Sequence, residues 1–141
     1  KMKVGGYAYV RDNALVVDVK EDTDTKEVPP CMLLKSDGAS LYTTTDLATI
    51  VERMKLYNPD EIIYVVDKRQ EMHFIQVFRC ARKCGLVTDK TKLKFLGFGT
   101  MNGKDGKPFK TRDGGVMRLE YLLKDINEGM RKKIHESRPM E

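Results

Sequence analysis

The segment Ile62-Ile63-Tyr64-Val65-Val66 constrains the fold more than any other part of the chain, because it is apolar without interruption. A strand that is apolar on both faces belongs to a parallel sheet covered on both sides. The patterns around it agree. Leu47, Ile50, Val51 and Met54 recur at the spacing of one helical face, and Phe74, Val77, Phe78 and Ala81 repeat that spacing. Asn58-Pro59 stops the first helix and Gly85 closes the second. Leu93 to Phe98 reads as a further strand. The order strand, helix, strand, helix, strand predicts an α/β chain with a doubly wound sheet.

Upstream, Tyr7-Ala8-Tyr9-Val10 and Leu15-Val16-Val17 flank the turn-rich Arg11-Asp12-Asn13, which predicts a hairpin. Residues 20–28, with Glu21, Asp22, Asp24 and Glu27, read as a solvated acidic linker. Cys31-Met32-Leu33-Leu34 predicts a strand, Ser36-Asp37-Gly38 a turn, and residues 40–44 a continuing extended segment. Thr45 then serves as N-cap of the first helix, with Asp46 in its first turn. Near the end, Leu119, Leu122, Leu123, Ile126 and Met130 mark an amphipathic helix with His135 exposed.

The formal net charge of +5 suits a polyanionic partner without requiring one. Three cysteines, an odd number, speak against a disulfide framework and for a reducing compartment, the cytoplasm. No apolar run is long enough for a membrane-spanning helix. The chain opens on Lys1 rather than Met, and on this reading it is a piece of something longer.

Ligands of open α/β sheets gather beyond the carboxyl ends of the strands. Three polar segments follow apolar ones here, at residues 42–46, 67–73 and 99–103. The glycine loop Gly97-Phe98-Gly99-Thr100-Met101-Asn102-Gly103 is one residue too long for the dinucleotide fingerprint, and Gly103-Lys104 is followed by Asp105, which breaks the P-loop pattern. Its basic residues could still neutralise phosphate, although on composition alone a solvated surface hairpin turning at Asp105-Gly106 is the more common explanation. His73, Cys80 and Cys84 share roughly one helix face but lack a fourth ligand, so the cysteines read as core and no protein-bound metal is expected.

Two stretches are more specific. Leu41-Tyr42-Thr43-Thr44-Thr45-Asp46-Leu47-Ala48, followed by Tyr64-Val65-Val66-Asp67-Lys68-Arg69-Gln70-Glu71-Met72-His73-Phe74, resembles the arginine-recognising part of arginyl-tRNA synthetases. Asn102-Gly103-Lys104-Asp105-Gly106-Lys107-Pro108-Phe109-Lys110-Thr111-Arg112-Asp113-Gly114-Gly115 resembles that family's version of the class I signature loop. The resemblance runs over roughly residues 28–135, with the segments in the family's order and spacing.

The resemblance implies the second half of a Rossmann-type catalytic domain. Residues 1–36 form its β-hairpin region, 37–117 its core and signature loop, and 118–141 a helix leading toward an anticodon-binding region. It implies an enzyme that joins arginine to ATP, releases pyrophosphate, and passes the arginyl group to tRNA(Arg), with Mg2+ arriving on ATP. Tyr42, Asp46 and Gln70 take the arginine-binding roles. His73, Gly99, Thr100, Met101 and Lys104 fall on the ATP side, and Lys107, Lys110 and Arg112 in the catalytic loop. A carboxylate at Asp46 suits a guanidinium, which offers a rigid fork of donors.

The chain departs from the family pattern in two places. The His-x-Gly-His signature is nowhere in it, and Pro108-Phe109-Lys110-Thr111-Arg112 stands where Lys-Met-Ser-Lys-Ser is usual, so Lys107 or Lys104 takes the place of the first lysine. By itself, then, the chain is expected not to aminoacylate tRNA, and an exposed apolar sheet edge is expected to favour self-association. Two rival readings remain at this stage. A free-standing nucleotide-binding regulatory module predicts a complete sheet with no exposed apolar edge. A small basic RNA-binding domain predicts aromatics interleaved with the basic loop, where Phe109 stands alone.

Overall fold

The structure is a computed structural model, and it describes residues 5–100, 102, 106–107 and 118–137. Two compact units divide at Gly99 and Thr100.

The first unit begins with the predicted hairpin. Strands β1 (Ala8–Arg11) and β2 (Ala14–Val17) pair antiparallel, with Arg11 opposite Ala14. The two residues between them, Asp12 and Asn13, take φ of 49° and 61°, the left-handed conformation that a two-residue hairpin needs and that these residue types tolerate. Strand β3 (Cys31–Leu34) joins the other side of β2. Asp37 then accepts the Ala39 N–H at 2.9 Å, Gly38 turns with φ of 77°, and Ser40 bridges back to Leu34. The expected turn is present, but the chain does not stay extended after Ser40.

Helix α1 (Tyr42–Tyr57) starts three residues before the predicted N-cap at Thr45. Leu41 is the N-cap, Thr44 accepts its N–H at 3.5 Å, and the Thr44 hydroxyl donates to the Leu33 carbonyl. That long-range bond fixes the helix start, and it overrides the strand preference of three consecutive β-branched threonines. Asp46 therefore lies in the second turn, not the first. Leu47 and Ile50 are buried as expected, while Val51 is on the exposed side. Asn58 ends the helix in the left-handed region, its N–H on the Met54 carbonyl, and Pro59 forbids continuation.

Strand β4 (Glu61–Asp67), a 3-10 turn (Lys68–Gln70), helix α2 (Glu71–Lys83) and strand β5 (Lys92–Phe98) follow in a βαβ unit, with β4 and β5 paired parallel. Helix α2 ends at Gly85 (φ 62°). The Gly85 N–H bonds the Arg82 carbonyl and the Leu86 N–H the Ala81 carbonyl, the double closure in which glycine is favoured.

The α/β class stands, yet β3 belongs to the antiparallel sheet, so the parallel sheet has two strands among the described residues. Helices α1 and α2 lie between the two sheets. Val17, Cys31 and Leu33 meet Leu47, Ile50, Val77, Cys80 and Ala81 on one side. On the other, Phe74 and Phe78 stack on Tyr64, and Phe74 also meets Phe95. A fully buried aliphatic side chain such as Ile50 contributes about 1.5–3 kcal/mol.

The expectation that β4 is covered on both faces fails. Ile62 is buried, but Ile63 and Val65 are 47% and 64% exposed, and Leu96 and Phe98 of β5 share their open face. Helices α1 and α2 cover one face, and no described residue of this unit covers the other. A complete sheet, as a free-standing module would have, is thus not what the described residues form. Cys31 and Cys80 are core residues, and among the described residues no group of three or more His, Cys, Asp or Glu side chains is arranged to hold a metal ion.

Residues 20–28 form a largely exposed linker, as expected, but one pinned to the core at Asp24 and Val28. Asp24 grips Arg79 of α2 through two hydrogen bonds of 2.7 Å, and Glu21 lies 3.4 Å from the same guanidinium. The Arg79 hydrogen bond holds the Asp24 carboxyl down at about 2.

In the second unit, helix α3 (Leu119–Ser137) carries Leu119, Leu123, Ile126, Met130 and Ile134 along one exposed stripe, and His135 is exposed as predicted. No helix among the described residues is long and apolar enough to cross a membrane.

Candidate functional site

The starts of α1 and α2 meet beside the carboxyl ends of β4 and β5. Tyr42 is the first residue of α1 and is 86% exposed; Asp46 stands one turn further on. From α2, the His73 ring reaches across so that Nε2 lies 2.5 Å from Asp46 Oδ2, joining residues 27 apart in the chain. The ring is set edge-on against buried Phe74 at 5.1 Å between centroids.

The turn linking β4 to α2 is held by its own side chains. The Asp67 carboxylate accepts the Arg69 N–H at 2.8 Å and pairs with the Arg69 guanidinium at 3.0 and 2.7 Å. This pairing lowers the Asp67 carboxyl to about 2. The clamp fixes the 3-10 turn and leaves Gln70, the N-cap of α2, exposed at its end. Strand β5 runs close beneath: a Cβ at Gly97 would come to 3.1 Å from the Lys68 Cα and 2.8 Å from the Phe95 ring. Glycine at 97 lets the turn that presents Gln70 sit directly on the sheet.

Under the site, Tyr64 lies against the aromatic cluster with Arg53 stacked 5.4 Å from its ring centroid. Its hydroxyl is buried without a hydrogen-bond partner among the described residues, and burial raises its pKa.

The structure therefore joins Asp46 to His73 and puts Tyr42 and Gln70 on the adjoining helix starts. Gly99 and Thr100 follow β5 and are exposed, as is Lys107. Met101, Lys104, Lys110 and Arg112 lie outside the described residues. The 42–46 segment follows the antiparallel sheet, contrary to the expectation that it would end a parallel strand. A groove of about 550 Å3 between the hairpin and Pro29-Pro30, lined by Arg11, Ala14, Val16, Met32 and Lys35, shares no residue with the site. Its apolar floor offers nothing that the predicted chemistry needs.

Sequence reasoning missed Arg53, the orphan hydroxyl of Tyr64, the Asp67–Arg69 clamp and the role of Gly97. An Asp two residues before Arg at a strand end, and a lone Gly in a strand pattern, were the available signals.

All 141 residues match the family described as class I tRNA synthetases (R), catalytic domain. The chain belongs to that family. An arginine–tRNA ligase of Agathobacter rectalis is 72% identical over 136 residues, which make up 96% of this chain and 23% of that protein. One from Alkaliphilus oremlandii is 58% identical over the same share of each. The crystal structure of arginyl-tRNA synthetase from Plasmodium falciparum superposes with a TM-score of 0.63 at 23% identity, over 96% of this chain and 21% of that one, and so shares the fold. The chain spans 23% of the length of these two curated relatives of the class I synthetase family.

Proposed function

We propose that this segment forms the arginine-recognising wall of an enzyme that activates arginine with ATP and transfers it to tRNA(Arg). The observation that carries the reading is the Asp46 carboxylate, held at one oxygen by His73 between two helix starts that also bear Tyr42 and Gln70. Asp46 supplies the negative charge, and Tyr42 and Gln70 supply polar contacts from either side. Lysine is disfavoured because an ammonium cannot use the same planar geometry, and unpaired site groups cost about 1–3 kcal/mol each. Gly99, Thr100 and Met101 take the adenine edge. Lys104, Lys107, Lys110 and Arg112 grip the phosphates of ATP, which brings its own Mg2+. Residues 118–141 lead toward a tRNA-binding region, and the protein works in the cytoplasm.

Transfer of labelled arginine to tRNA by the longest natural form of the protein tests this reading. Asp46→Asn is expected to cost about 2–5 kcal/mol of transition-state binding, lowering kcat/KM for arginine roughly thirtyfold to several-thousandfold. An unchanged KM for arginine would remove Asp46 from the site. Self-association through the open edge of the β4–β5 sheet belongs to the same proposal, and sedimentation showing a monomer at every concentration would remove it.

A further inference from the structure

We infer that His73 is a positioning residue for Asp46, fixing the plane of its carboxylate so that Oδ1 faces the substrate guanidinium. The inference rests on the proposed role of Asp46 as the arginine carboxylate. An aspartate in the second turn of a helix is free to turn about two side-chain bonds, and a turning carboxylate recognises charge but not shape. Here the turning is stopped. Nε2 of His73 engages Oδ2 at 2.5 Å, and among the described residues Oδ1 has no hydrogen-bond partner. The two side chains are 27% and 30% exposed, so the pair is reachable from solvent without being washed by it.

The histidine is itself braced. Its ring meets Phe74 edge-on at 83°, and Phe74 is packed by Tyr64, Phe78 and Phe95. The bracing passes from the sheet through the aromatic cluster to the imidazole, and from there to the carboxylate. With Nε2–H as donor, the ring holds one carboxylate oxygen and leaves the other open to a cationic side chain. On this view, His73 acts on the arginine side of the pocket rather than the nucleotide side.

The test uses aminoacylation by the longest natural form of the protein, with KM measured separately for arginine and ATP. His73→Phe keeps a ring against Phe74 and removes the donor. His73→Gln puts an amide nitrogen near the place of Nε2, and His73→Asn sets one short of it. The expected result is a rise in the arginine KM on the order of tenfold for H73F and H73N. The ATP KM stays unchanged, thermal midpoints stay near wild type, and H73Q recovers most of the loss. H73N reads the same distinction if H73F does not fold. A rise in the ATP KM, a wild-type arginine KM in H73F and H73N, or an H73Q as impaired as H73N would each overturn the inference. D46N separates the two claims. If it loses arginine use while H73F and H73N keep it, only the positioning role fails; if D46N itself keeps it, the reading of Asp46 fails first.

Discussion

Helix α2 grips two carboxylates that come from distant parts of the chain, and the two contacts are built differently. Near its end, Arg79 meets Asp24 through both guanidinium nitrogens at 2.7 Å, gives a further hydrogen bond to the Val19 carbonyl, and has Glu21 at 3.4 Å. Gln76 bonds the Pro29 carbonyl and Lys83 the Asp18 carbonyl on either side. Both oxygens of Asp24 are used. At the start of the helix, His73 uses one oxygen of Asp46 and leaves the other. A saturated pair fastens a loop to the core and has no capacity for a ligand. A half-used pair keeps an acceptor in reserve at the cost of a less satisfied site, which is the arrangement a binding residue requires.

The largest expected effect comes from cutting the bar that joins the two ends. Phe74 is 4% exposed and touches His73, Tyr64, Phe78 and Phe95. Phe74→Ala should cost about 3–5 kcal/mol in urea unfolding, and should loosen the His73 end more than the Arg79 end. Amide exchange reads the difference. Equal loss of protection at Asp24 and at Asp46 would mean that α2 responds as one unit and that the contrast between its ends carries no functional weight.

A smaller change sharpens the comparison. Gly97→Ala places a methyl within 3.1 Å of the Lys68 backbone and against the Phe95 ring, both on the site side of α2. Overpacking of this kind costs about 1–3 kcal/mol. The turn bearing Gln70 should shift and the arginine KM rise, while the Asp24–Arg79 clasp keeps its protection. A variant with normal arginine KM and reduced stability would show that Gly97 serves packing alone.

The two ends also differ in how far the sequence disclosed them. Local signals located nearly every element. Asp12-Asn13, Asn58-Pro59 and Gly85 each require a backbone conformation that those residue types favour, and the helical spacings held at Leu47, Ile50, Phe74, Val77 and Ala81. Long-range partners were invisible. Thr43-Thr44 read as extended because β-branching is a local property, whereas the Thr44 bond to Leu33 is not. The acidic loop is largely solvated as read, but its anchor at Asp24 was hidden because the partner, Arg79, lies 55 residues away. Residues 42–46 read as the end of a parallel strand because strand order alone does not state which neighbour pairs. Tyr42, Asp46 and Gln70 were named through family resemblance; the link between Asp46 and His73 appears only once two helices are brought together.

The smallest expected effect, and the one that separates a saturated pair from a surface clamp, is the acid end of the stability profile. Asp24 and Asp67 each have the carboxyl lowered from 3.8 to about 2, chiefly by hydrogen bonding to Arg79 and Arg69 respectively. A carboxyl lowered by folding stabilises the native state above its unfolded value, because there both states are ionised and only the native one has the partner. As pH falls from about 4 to about 2 the unfolded chain takes up the proton first, and the stabilisation disappears. Urea midpoints should therefore be insensitive to these two groups above pH 5 and fall below pH 4. The two contributions part company in salt. Arg69 is 74% exposed, so its pair is screened, whereas Asp24 is 8% exposed and Arg79 23%. Asp24→Asn should flatten the acid slope at both low and high salt, and Asp67→Asn only at low salt. Equal flattening by the two variants in 1 M salt, an ionic strength at which exposed charges are screened beyond ~3 Å, would show that the clasp at Arg79 is no more closed than the clamp at Arg69.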